Sequence, residues 1–173
     1  MRRVPKRGSS RRAGSRKRRG TTRQGRAQVG LGNALLARAE QIAHMGSFRW
    51  DAVTNRVAWS DELHRIYGRT REEFGGTFEA FLSCVHPDDR AGVRAVVERA
   101  LEERQPFRFR ERILRGDGEI RFLDSAGEVV LDGKGRVVEL YGVCWDITER
   151  QHAEDTLRES RQRLRAILDY SLW

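Results

Sequence analysis

Residues 107–147 read FRFRERILRGDGEIRFLDSAGEVVLDGKGRVVELYGVCWDI, and this stretch decides the fold. From Pro106 onward the period is two: Phe107, Phe109 and Ile113 alternate with Arg108, Arg110 and Arg112. Side chains of a β-strand point alternately to its two faces, so this pattern predicts a half-buried strand. Gly116-Asp117-Gly118 interrupts it, and glycine tolerates the positive φ that a tight hairpin demands. A second long strand is expected from Ile120 to Leu131, a second turn at Asp132-Gly133-Lys134-Gly135, and a third strand from Val137 to Ile147. Three long strands joined by short turns form an antiparallel meander.

Upstream, the chain predicts a hairpin and a series of short helices. Residues 33–45 have Leu35, Leu36, Ala39, Ile42 and Ala43 at helical spacing, and Gly46 is expected to stop that helix. Ser47 to Val53 alternates with Phe48 and Trp50 on one face, Thr54-Asn55 turns, and Arg56 to Trp59 returns. Ser60 suits an N-cap, followed by Asp61 and Glu62 where the helix dipole favours acids. Thr70 and Glu73 have capping-box spacing, and Thr77 suits a further cap with Phe78, Phe81, Leu82 and Val85 inward. His86-Pro87-Asp88-Asp89-Arg90 leads into a longer helix to about Arg104, whose Val93, Val96, Val97, Ala100 and Leu101 form one stripe. Two strands, several helices and three strands predict an α+β domain, with five strands packed on one side by the connecting helices.

Downstream, Asp146-Ile147-Thr148-Glu149-Arg150-Gln151 ends a strand and opens a helix almost without a linker. Thr148 and Gln151 are spaced as a capping box, and Glu154–Arg158 and Glu159–Arg163 are favourable i,i+4 pairs. Ala153, Leu157, Ser160, Leu164 and Ile167 repeat at coiled-coil steps. This helix is either a lever that couples the sheet to a downstream domain, or a segment that packs back on its own sheet. Asp146 either fixes the angle of that helix, by capping it or pairing with an arginine, or belongs to a plain surface turn.

Charge divides the chain. Residues 1–26 hold 12 Lys or Arg and no acid, whereas the other 147 residues carry 22 bases against 25 acids. Residues 1–32 are accordingly expected to be a disordered Arg-rich tail, which lacks the apolar content to offset the entropy of ordering. Such a tail can contact nucleic acid or anionic lipid nonspecifically through residues 1–26, or it can be a solvated extension. No apolar run is long enough to span a bilayer, and Cys84 and Cys144 have no metal-ligand spacing, so a cytoplasmic setting without disulfide or zinc is expected.

The residues also resemble a known family. Gly46-Ser47-Phe48-Arg49-Trp50-Asp51, Val57-Ala58-Trp59-Ser60-Asp61-Glu62-Leu63 and Ile66-Tyr67-Gly68 look like the opening of a PAS domain of the variety common in bacterial sensor histidine kinases. His86-Pro87-Asp88-Asp89-Arg90 is similar to its mid-domain signature. Arg115-Gly116-Asp117-Gly118-Glu119-Ile120-Arg121 and Gly142-Val143-Cys144-Trp145-Asp146-Ile147-Thr148-Glu149-Arg150 resemble its closing strands and exit (PAC) motif. The resemblance covers roughly residues 40–150 and implies that the five strands form one antiparallel sheet. It implies a PAS sensory domain at 46–148, with a helix at 33–45 before it and a signalling helix at 149–173 after it. Phe122 stands where the family often has Trp. Cys84 does not sit in an Asn-Cys-Arg-Phe-Leu type of segment, and residues 90–104 contain no His, so neither flavin nor haem is supported and the cofactor is unknown. Residues 163–171 resemble the entry helix of a further domain, which implies a longer protein with an output domain downstream.

The candidate ligand-pocket residues are Trp50, Trp59, Phe107, Phe109, Phe122 and Tyr141, with Trp145 beside them; the alternative is that these rings only fill the core. The candidate signal-relay residues are Asp146, Thr148, Glu149 and Arg150. His86 is read as making a hydrogen bond at a helix start rather than binding metal, and His152 as part of a solvated face rather than a phosphoacceptor. No nucleophile–base pair, paired acids or phosphate loop is found, so no catalytic machinery is expected. Three readings stand at this point. The first is a sensory and dimerisation module of two-component signalling, with homodimer contacts through the last helix and a kinase domain elsewhere. The second is a stand-alone interaction module, and the third an adaptor tethered by the Arg tail.

Overall fold

The computed structural model describes residues 23–170, with side chains described for residues 32–169. Its elements run α1 (Arg23–Ile42), β1 (Met45–Asp51), β2 (Arg56–Trp59), α2 (Asp61–Tyr67), α3 (Arg71–Phe74), α4 (Phe78–Cys84), α5 (Pro87–Glu103), β3 (Phe107–Leu114), β4 (Ile120–Leu131), β5 (Val137–Asp146) and α6 (Thr148–Tyr170). The five strands form one antiparallel sheet in the order β2-β1-β5-β4-β3. The expected meander is β3-β4-β5, with Gly118 and Gly135 at φ 86 and 74 in its two turns. The hairpin β1-β2 then joins β5, which becomes the central strand.

Local sequence accounts for the short helices. The Ser60 hydroxyl accepts from the Leu63 N–H at the start of α2, and Gly68 ends that helix in the left-handed region. Thr70 and Glu73 form the reciprocal capping box of α3. Thr77 caps α4 through the Ala80 N–H. At α5, the His86 ring accepts from the Asp88 N–H and Pro87 occupies the first turn, so His86 acts as the N-cap. All four helices turn apolar sides to the same sheet face. Leu63, Ile66 and Tyr67 meet Ile113, Leu123 and Cys144, while Val93, Val97 and Ala100 meet Phe107 and Leu140.

The first helix departs from expectation. It spans Arg23–Ile42 rather than 33–45, so its first ten residues fall where a disordered tail was expected. Residues 1–22 lie outside the described residues, as do the side chains of the basic Arg23 and Arg26. Leu35, Leu36 and Ile42, placed by their spacing on one side of the helix, are 60–70% exposed. Among the described side chains of α1 the buried one is Glu40, whose carboxylate accepts a 2.6 Å bond from the Ser47 hydroxyl. Among the described residues, this hydrogen bond ties α1 to β1.

Gly46 does not terminate α1. The chain turns at His44, at φ 48, and Gly46 lies inside β1. A β-carbon at Gly46 would fall 2.5 Å from Cβ of Leu63, so the bare backbone there lets α2 close against the sheet.

Candidate functional site

Two places carry the chemistry of the fold: a cavity between sheet and helices, and the joint where β5 becomes α6. The cavity measures about 40 Å³. Phe48, Trp50, Val57 and Trp59 line it from β1 and β2, and Leu63, Tyr67, Phe78, Phe81 and Val97 from the helices. Phe107, Phe109, Ser125, Leu140 and Cys144 complete it from β3, β4 and β5. A water needs roughly 10–15 Å³, and a drug-sized ligand roughly 300–1,000 Å³, so in this state the space suits a few waters only.

Aromatic packing sets the shape of the cavity. Trp50 stacks on Phe78 at 4.6 Å, Trp59 on Phe74 at 3.4 Å, and Phe107 on Phe109 at 6.0 Å. The Trp50 indole N–H donates to the Asn55 side-chain oxygen, which also accepts from the Phe78 backbone, so one turn residue holds both stacked rings. On the floor, Gly127 and Gly142 sit opposite each other on β4 and β5. A β-carbon at Gly127 would come 2.5 Å from the Phe107 ring, and one at Gly142 would come 2.7 Å from the Phe48 ring. The glycine pair therefore makes room for two rings over the sheet.

One polar pair belongs to this face. The Ser125 hydroxyl donates to Oε1 of Glu111 at 2.8 Å, and both residues are buried. Burial pushes the Glu111 carboxyl well above the usual carboxylate range; the Ser125 bond opposes the shift and the charges of Asp124 and Asp89 add to it. Burial likewise raises the Tyr67 hydroxyl and the Cys144 thiol, which keeps Cys144 an un-ionised thiol.

At the exit joint, the Asp146 carboxylate accepts from Arg121 at 2.9 Å and from the Thr148 backbone N–H at 3.0 Å. The Thr148 hydroxyl donates to Asp146 and accepts from the Phe122 N–H at 3.0 Å. The Ile147 N–H donates to the Phe122 carbonyl and the Asp146 N–H to the His44 carbonyl, each at 2.9 Å. The first turn of α6 is thus fastened to β4, and its root to the chain leaving α1.

Residues 56–144 match the family described as the PAS fold. The chain belongs to the PAS fold family. A sensory box histidine kinase/response regulator from Burkholderia thailandensis E264 superposes with a TM-score of 0.61 at 30% identity, covering 74% of this chain and 95% of that structure. The probable diguanylate cyclase DgcE of Escherichia coli is 28% identical over 131 residues, covering 76% of this chain and 12% of the relative. The sensor protein FixL of Bradyrhizobium diazoefficiens is 27% identical over 139 residues, covering 80% of this chain and 27% of the relative. The chain spans only these small fractions of the curated relatives' lengths.

The PAS domain gathers some of the expected pocket residues and scatters others. Trp50, Trp59, Phe107 and Phe109 meet at the cavity. Tyr141 lies on the opposite sheet face, 44% exposed, with its hydroxyl donating to Glu128, and Trp145 is exposed on that face too. Phe122 also points away from the cavity and meets His152 of α6 edge-on at 6.2 Å. Strand phase is the reason: inward positions of β4 and β5 are odd for Leu123 and Ser125 but even for Leu140 and Cys144, and these three residues fall on the other phase.

Of the expected relay residues, Asp146 and Thr148 meet at the joint, whereas Glu149 and Arg150 are exposed and Arg150 pairs with Glu154. Thr148 and Gln151 do not form the expected capping box. Asp146 supplies the acceptor for the Thr148 N–H, leaving the Thr148 hydroxyl to hold β4, and the Gln151 side chain bonds Asp155. Sequence reasoning missed Ser125, Glu111 and the Gly127–Gly142 pair. The signal for Glu111 was present, since a carboxylate occupies the inward phase between Phe109 and Ile113.

Proposed function

We propose that this chain is a sensory and regulatory module of bacterial signal transduction, of the two-component, sensor histidine kinase type, that relays a ligand or partner signal through α6. The observation that carries this reading is the joint at Asp146. One carboxylate ties β4 to the start of α6 and its backbone ties β5 to the end of α1, so no linker is left to absorb a movement of the sheet. The histidine kinase and FixL similarities support the class, and the reading places an output domain downstream and the module in the cytoplasm. Ala153, Leu157, Ser160 and Leu164 lie exposed along one side of α6 and would pair with the same helix of a second copy. The module itself supplies no catalysis in this reading.

The test is a fusion of the whole chain to a dimeric histidine-kinase core through α6, with one to four residues inserted after Leu164. Kinase activity that rises and falls with the helical repeat, and that changes with Asp146→Ala, is the expected result. Activity indifferent to both changes would overturn the relay.

A second reading, a protein-interaction and dimerisation module without a small-molecule ligand, is favoured by the small cavity. Native mass spectrometry separates the two: an extra small mass retained on the gently purified chain supports ligand sensing, and a bare dimer supports interaction.

A further inference from the structure

An open sheet has two edges, and each offers unpaired backbone groups unless something covers it. At the β2 edge the Val57 N–H donates to the Gly76 carbonyl at 2.8 Å. At the β3 edge the chain entering α5 covers one end. There the His86 N–H donates to the Arg112 carbonyl at 2.7 Å, and the Arg112 N–H donates to the Asp89 carboxylate at 2.9 Å. Arg112 therefore turns its backbone away from β4, and its register partner Phe122 bonds Ile147 and Thr148 instead. In an antiparallel ladder such pairs alternate with hydrogen-bonded ones. Arg108 and Arg110 share the phase of Arg112, so their two N–H and two C=O groups point off the sheet. Among the described residues nothing bonds these four groups. Both residues are exposed, with side chains 68% and 65% accessible.

The surroundings of this open edge define what fits it. On the outer face Arg108 holds the Asp124 carboxylate at 2.8 and 2.6 Å, and Arg110 lies 3.5 Å from the same group. One acid against two guanidiniums leaves positive charge at the edge. On the inner face Phe109 of β3 and Val96 and Leu101 of α5 pack against the core yet stay only partly buried.

We propose that the open edge of β3 takes an extended segment of a partner protein, paired antiparallel with residues 108–110, whose side chains alternate acidic and apolar. This goes beyond the relay through α6 and does not depend on it. Strand addition satisfies the four backbone groups. Residues opposite each other share a sheet face, so the acids meet Arg108 and Arg110 while the apolar residue joins Phe109. A second copy's β3 is the wrong occupant, because antiparallel self-pairing sets one arginine row against the other. Residues 1–22, with 10 bases and no acid, are repelled in the same way.

The experiment uses the full chain and a capped peptide of alternating glutamate and valine, followed by amide heteronuclear NMR. Before peptide is added, amide exchange should be fast at Arg108 and Arg110 and slow at Phe109 and Glu111, which bond β4. The peptide should then shift and protect the Arg108 and Arg110 amides. Lysine in place of its glutamates should weaken binding roughly tenfold, and Arg110→Glu should reverse that preference. N-methylation of the glutamates, whose N–H groups face β3 in this pairing, should abolish binding, whereas N-methylation of the valines should not. Arg110→Pro deletes one outward N–H without touching the ladder to β4 and should also abolish binding. If that variant does not fold, the N-methylated peptides carry the same test.

Protection of Arg108 and Arg110 in the free chain would mean that the edge is already covered, by a second copy if the chain is then dimeric, and would overturn the proposal. So would equal binding of the acidic and lysine peptides, binding that survives N-methylated glutamates, shifts confined to other strands, or no binding. None of these outcomes bears on the kinase fusion, which reads α6 alone.

Discussion

Arg121 donates to the Asp146 carboxylate at 2.9 Å, joining the start of β4 to the last residue of β5 two residues before α6 begins. The second carboxylate oxygen accepts from Thr148, so a single side chain acts as strand clamp and helix cap. Asp146→Ala removes both contacts and is expected to cost about 1–2 kcal/mol, felt first in the opening turn of α6. Hydrogen exchange at residues 148–152 should quicken while exchange in β5 stays near wild type. Asp146→Asn keeps the cap acceptor and should do less. Unchanged exchange in that turn for Asp146→Ala would count against the clamp.

Gly46 tests the close approach of α2 to β1. A β-carbon there meets both Cβ and Cα of Leu63, at 2.5 and 2.6 Å, so relief requires backbone movement. Gly46→Ala should lower stability by about 1–3 kcal/mol in urea denaturation, against the usual benefit of replacing glycine. A wild-type midpoint would show that α2 can withdraw freely.

Trp50 separates packing from hydrogen bonding. Trp50→Ala removes the ring stacked on Phe78 and should cost about 3–5 kcal/mol. Trp50→Phe keeps a ring but loses the indole bond to Asn55, and about 1 kcal/mol is expected by the same denaturation assay.

Stability should fall on both sides of a pH profile, for opposite reasons. The Arg112 hydrogen bond holds Asp89, and the Arg108 hydrogen bond holds Asp124, below the usual carboxylate range. Their contribution is present above the unfolded value of about 3.9 and is lost as pH falls through the depressed folded values, so Asp89→Asn and Asp124→Asn should flatten the acid limb. Glu111 is raised by burial, so its contribution is full below the unfolded value of about 4.3 and is lost as pH rises through the folded one. Denaturation at a series of pH values should show Glu111→Gln gaining on wild type as pH increases. A constant difference between the two proteins would mean that Glu111 titrates normally.

Much of the fold was legible because its signals are local. Alternation marked β3, glycine turns marked the meander, and Ser60, Thr70 and Thr77 marked helix starts through contacts within four residues. The α5 stripe was legible because a single period of 3.6 places Val93, Val97 and Ala100 on one side. The candidate pocket aromatics divide: Trp50, Trp59, Phe107 and Phe109 line the cavity, whereas Phe122 and Tyr141 lie on the other sheet face. Aromatic size says that a residue packs somewhere, and only strand phase says against what.

By itself the sequence determined the α+β class, the antiparallel meander and the direct passage from the last strand into the exit helix, because periodicity, turn chemistry and capping act over a few residues. Tertiary structure alone decided that β5 lies between β1 and β4, that Asp146 reaches Arg121 across 25 residues of chain, and that Glu111 is enclosed with Ser125 rather than solvated. It also decided that α1 is held by Glu40 while Leu35 and Leu36 face outward. These are pairings between distant segments, fixed by which faces the closed sheet and its helices bury, and no local pattern encodes that choice.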